Sequence, residues 1–82
     1  MELYLCIIWD GIKQTWVCMG VFSTFAKALE AGGLYMTENA HGTAHLIDWE
    51  EESSVFKYWY RDDMENPFTR VVAKCNVDER LA

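Results

Sequence analysis

An α+β domain is the fold that the sequence predicts: a twisted antiparallel sheet of four to five strands with one short helix packed on a face. Three observations predict it. Short apolar runs with two-residue alternation recur along the chain, turn residues separate them, and one segment, 24–31, repeats its apolar residues at helical spacing. With 82 residues there is room for one modest core, so 1–82 is read as a single domain whose tail, 78–82, frays.

Residues 3–9 are apolar on both alternating faces, the pattern of a strand buried on both sides, and they make the best candidate for a central strand. Asp10-Gly11 tolerates the positive backbone angles of a tight hairpin turn, and the chain returns as a strand from Gln14 or Thr15 to Phe22. The register stays open: a two-residue turn sets Cys6 against Thr15, and a five-residue loop sets it against Cys18. Ser23 and Thr24 are helix-capping types, Phe25, Ala28 and Leu29 share one helical face, and Gly32-Gly33 reads as the stop. Segment 34–39 reads as a short strand or extended piece, 39–42 as a turn and 43–50 as a strand with His45, Ile47 and Trp49 alternating against Ala44, Leu46 and Asp48. Residues 50–54 read as a solvated loop.

Next comes 55–61, with Phe56, Tyr58 and Tyr60 on one face and Val55, Lys57 and Trp59 on the other, followed by a turn region at 62–67 that Pro67 closes. The last strand places Val71, Ala73, Cys75 and Val77 on one face and Arg70, Val72, Lys74 and Asn76 on the other, half buried and paired with 55–61.

Charge is lopsided. The net charge of -6 resides wholly in the segment between Glu38 and Glu65, where eight acids meet only Lys57 and Arg61; elsewhere acids and bases cancel. Such a field repels nucleic-acid phosphates and favours a basic protein. Aromatic residues make up 15% of the chain, more than so small a core can hide, which predicts a contact surface for a second copy or another protein. Cys6, Cys18 and Cys75 lie in strand-like runs with neither zinc nor disulfide spacing, so buried reduced thiols are expected. The apolar run at 3–9 is too short to span a bilayer and no basic segment precedes it, which predicts a soluble protein of the cytoplasm.

No catalytic, cofactor or metal constellation emerges. His41 and His45 are four apart, but Gly42 and Thr43 disfavour the helix that would bring them together, and in a strand they would stand about 13 Å apart. Ser53 and Ser54 have no neighbouring base, and no glycine-rich phosphate loop occurs. An enzyme is therefore not expected. The run ending Gly20-Val21-Phe22-Ser23-Thr24, the helix with Ala26 and Ala28, and the close on Asn76-Val77-Asp78-Glu79 resemble short uncharacterised proteins of bacteriophages and bacterial mobile elements. That resemblance implies a phage setting, where small acidic proteins act as anti-defence inhibitors, the anti-CRISPR type among them.

The leading expectation is a non-enzymatic inhibitor or adaptor that grips a basic host protein, in the manner of a nucleic-acid mimic. Its acids would be Asp48, Glu50, Glu51, Glu52, Asp62, Asp63 and Glu65, with Trp49, Trp59 and Tyr60 as apolar anchors. The alternatives are a module that sequesters a small nucleotide-like signal on Trp and Tyr faces, and an oligomeric structural protein.

Overall fold

A computed structural model describes residues 1–76. The elements are β1 (Glu2–Asp10), β2 (Thr15–Phe22), α1 (Phe25–Asn39), β3 (His45–Glu52), β4 (Val55–Arg61) and β5 (Pro67–Asn76). All strand pairs are antiparallel, in the order β2-β1-β5-β4-β3, and the sheet is open, with β2 and β3 at its edges. The α+β class is as the sequence predicts. Val77 and the tail at 78–82 lie outside the described residues.

The helix is longer than its sequence signals suggest. Thr24 caps it as expected, its hydroxyl accepting from the Lys27 N–H at 3.1 Å, but the chain runs helically through Gly32-Gly33 to Asn39. So 34–39 is helix, not an extended segment. The reason lies in the topology. β2 ends beside Tyr4, whereas β3 starts at the far end of the sheet, near Asp10, and that distance of six strand residues is about 20 Å. Eight helical residues span only about 12 Å, and fifteen span about 22 Å. The contacts at the two ends mark the path: the Phe25 ring meets Tyr4 edge-on at 5.9 Å, and the Tyr35 hydroxyl reaches Asp10 at 2.6 Å. Gly32 serves close approach, since a Cβ there would run into the Arg70 side chain and Ile8 Cδ1.

The core sits between α1 and one face of the sheet: Cys6 and Ile8 of β1, Ala28 and Met36 of α1, Tyr60 of β4, and Phe68 and Val72 of β5. The buried side of β5 is therefore the one with Val72 and Arg70, the reverse of what its sequence alternation invites. β5 does pair with β4 as predicted, and also with β1, which gives both β1 and β5 neighbours on either side.

The β1–β2 loop is neither of the two lengths considered. It has four residues, Gly11 to Gln14, with Asp10 opposite Thr15. Asp10 builds it, its Oδ1 accepting from Ile12 and Lys13 N–H at 2.9 and 3.0 Å. Burial opposes the Asp10 charge, but these bonds and the Tyr35 hydroxyl outweigh it and lower its pKa. Tyr35 in turn is pushed up to about 12, by burial first and then by its bond to the Asp10 carboxylate. A bulge at Met19 places Cys6 opposite Gly20 and Cys18 opposite Ile7, so the two thiols face opposite sides of the sheet. All three cysteines are free; only Cys6 is buried, and Cys18 and Cys75 are exposed.

Glu50, Glu51 and Glu52 are strand rather than loop, and the β3–β4 turn is only Ser53-Ser54, with Ser53 at φ 55. Glutamate's weak strand preference is overridden by the β4 ladder. The side chains remain in water on both faces of this edge strand, so no charge is desolvated.

Candidate functional site

α1 covers β1, β2 and β5, and among the described helix and strands β3 touches β4 alone. Every residue of β3 is consequently exposed, and its outer edge offers backbone N–H and C=O groups that no described strand takes up. A bulge at Ile47 breaks the simple alternation and sorts the side chains. Asp48, Glu50 and Glu52 stand opposite Trp59, Lys57 and Val55, on the sheet face away from the helix. Leu46, Trp49 and Glu51 stand opposite Tyr60, Tyr58 and Phe56, on the helix side. Trp49 is 60% exposed, and Leu46 and Ile47 are exposed too. Among the described residues none of the four acids forms an ion pair; Lys74 pairs with Glu2, and His45 Nε2 lies 2.7 Å from Asp63.

The remaining predicted site residues divide. Asp48, Trp49, Glu50, Glu51 and Glu52 lie together on β3, Trp59 joins their open-face side, and Glu65 is exposed in the β4–β5 loop. Tyr60 and Asp62 are not at the surface. Tyr60 is a core residue at 8% exposure, and Asp62, at 3%, is a knot of hydrogen bonds. One of its oxygens accepts from the Met64 and Asn66 N–H groups, and the other from the His41 N–H and the Asn66 side chain, all between 2.8 and 3.0 Å. Burial opposes its charge, yet these bonds, the His41 N–H foremost, win and hold its pKa down at about 2.

Asp63 is exposed but committed, accepting from the Thr43 N–H at 3.0 Å and lying 2.7 Å from His45 Nε2; those two contacts lower its pKa. Gly42, at φ 80, lets the chain pass where a Cβ would strike that carboxylate. Asp62 and Asp63 thus tie 41–45 to the β4–β5 loop and set where β3 begins. They share a charge with Glu50 and Glu52 but not a setting, and the neighbouring N–H donors, with the Asn66 and His45 side chains, separate the two roles.

The fold also forms a cleft of which the sequence singled out only Tyr60. Between the second half of α1 and the start of β3 lies a cleft of about 340 Å³ lined by Gly33, Met36, Thr37, Thr43, Tyr60 and Arg70. Arg70 is half buried, donates to the Leu29 carbonyl at 2.9 Å and to the Tyr60 hydroxyl, and lies over the Tyr58 and Tyr60 rings at 4.9 and 5.4 Å. Among the described residues no carboxylate pairs with it, and its buried Nε has no partner. The one legible signal was Arg70 alternating with Val72 and Lys74 on one strand face.

Among the described residues no three potential metal ligands converge, and no helix is long and apolar enough to cross a membrane. Comparison with protein-family models, curated proteins and solved structures returns no match.

Proposed function

We propose that the chain is a protein-binding module, an inhibitor or adaptor, that takes a basic extended segment of its partner along β3. One observation carries this reading: β3 is an unpaired edge strand whose four carboxylates, Asp48, Glu50, Glu51 and Glu52, have no cationic partner among the described residues. An edge strand recruits another strand through its free backbone groups. The acids select which strand. A second β3 would bring carboxylate against carboxylate, whereas a segment rich in Lys and Arg would meet opposite charge at the same positions. Trp49, Leu46 and Ile47 supply apolar area once the encounter is made. A host protein with a basic groove, of the kind that holds nucleic acid, presents this chemistry. Asp62, Asp63 and Tyr60 act from behind, by holding the strand in place.

The test uses a fluorescent peptide alternating Lys or Arg with Val, followed by anisotropy. Replacing Glu50, Glu51 and Glu52 with Gln is expected to weaken binding about tenfold or more and to flatten its salt dependence, with Glu30→Gln and Glu38→Gln on the helix as controls. Equal affinity and an equal salt slope in the triple variant would exclude steering by the edge acids.

Arg70 favours a second reading, a module that holds a small anionic, nucleotide-like compound in the α1–β4 cleft. A half-buried guanidinium with no carboxylate among the described residues, flanked by two tyrosine rings, suits a phosphate joined to a flat base. Thermal melting against a panel of linear and cyclic nucleotides tests it. A ligand near a hundred times its Kd adds about 2.7 kcal/mol and raises the melting temperature by roughly 10 °C or more. A panel that shifts nothing, or shifts Arg70→Met equally, removes this reading.

A further inference from the structure

We infer that two copies of the chain associate through the sheet face that α1 leaves bare. β1 carries apolar residues on both of its faces, yet in the single chain only one of these is covered. Cys6 and Ile8 are sealed under the helix, while Leu5, Ile7 and Trp9 stand on the opposite side and remain partly exposed. Their neighbours across the sheet continue the surface: Trp16 of β2, Val71 of β5 and Trp59 of β4. The Trp9 and Trp16 rings lie 5.5 Å apart, and with Trp59, Val71, Thr69 and Lys57 they border a shallow depression of about 420 Å³. Half-burial on such a face is a state that a second layer completes.

Size and charge point to a second copy as that layer. The apolar region spans four strands at about 4.8 Å and some seven residues at about 3.3 Å, on the order of 450 Å² of footprint per chain. Two copies therefore cover roughly 900 Å² or more, close to the roughly 1,000 Å² of a specific interface, with a centre that is apolar but for Thr69 and Lys57. The order β2-β1-β5-β4-β3 makes the face self-complementary about a twofold axis parallel to the strands. β5 then stacks on its own copy, β4 on β1, and β3 on β2. The acids of β3 thus meet the uncharged border near Trp16 rather than one another. An anionic membrane is a poor occupant for a chain of net charge -6, and a basic protein is drawn to β3, whose outer edge this packing leaves free.

Sedimentation equilibrium and light scattering at micromolar and submillimolar protein, in low and high salt, test the inference. The expected mass is twice 9.5 kDa. Association tightens as salt rises, because screening relieves repulsion between two acidic chains while apolar burial persists. That is opposite in sign to the salt dependence of a basic peptide on β3, so the two readings fail separately. Trp59→Glu and, at the exposed edge, Trp16→Glu each weaken the dimer at least about tenfold without changing the far-ultraviolet circular dichroism. Trp49→Glu, on the helix side of β3, leaves it intact. A wild-type chain that stays monomeric in high salt at the upper concentration overturns the inference. So does a dimer that survives both Trp16→Glu and Trp59→Glu, or one that Trp49→Glu dissolves.

Discussion

Phe68→Ala is expected to lower the melting temperature by about 20 °C, enough to leave much of the chain unfolded at 37 °C. Among the described residues Phe68 is the largest fully buried side chain, with no exposed surface, on the central strand between Asp10 of β1 and Tyr60 of β4. Truncating a buried Phe costs about 3–5 kcal/mol, the transfer of the ring plus the cavity it leaves. A domain of this size has on the order of 4–12 kcal/mol in total, and each kcal/mol moves its midpoint by roughly 4–8 °C. Phe68→Leu refills most of the volume and should fall in between. Thermal melts followed by circular dichroism decide it; a drop below about 5 °C would mean that the core is not centred on this ring.

Asp62→Ala produces the second large effect, through polar rather than apolar loss. It leaves the N–H groups of His41, Met64 and Asn66, together with the Asn66 amide, without their acceptor at a site closed to solvent. A fall of about 10 °C or more in the melting temperature is expected. Because His41 anchors the approach to β3, amide exchange in β3 should accelerate beyond that in β1.

The same carboxylate makes the fold acid-sensitive. Its pKa is about 2 when folded, against roughly 3.9 in an unfolded chain, so its contribution is complete above pH 4 and is lost as the pH falls through 4 toward 2. Asp10 and Asp63 are lowered as well and act in the same direction. In Asp62→Ala the decline in stability between pH 4 and pH 2 should be shallower than in the wild type. An identical acid limb in the two proteins would show that the Asp62 bonds are not what the pH reads.

Much of the architecture is legible residue by residue. The two-sided apolar run of β1, the aromatic alternation of β4, the Thr24 cap and the Phe25-Ala28-Leu29 stripe are local patterns, and each appears where its pattern lies. A hydroxyl that caps or a β-branched residue that pleats acts through its own backbone neighbours, so sequence reports it directly. Gly32-Gly33 misled because glycine has two uses. As a helix stop it answers to local geometry, but as a point of contact it answers to Ile8 and Arg70, distant in sequence. The acids misled in the same way. Asp62 and Glu50 read alike as acids, and only folding surrounds one with N–H donors while leaving the other at a bare edge.

The run of residues therefore determined the strand set, the start of the helix and the surplus of negative charge. Tertiary structure alone decided that β5 enters the middle of the sheet, which of its faces is buried, how far the helix runs and which carboxylates stay free. Those outcomes depend on partners far along the chain, and the burial and hydrogen-bond energies that settle them exist only once the strands have come together.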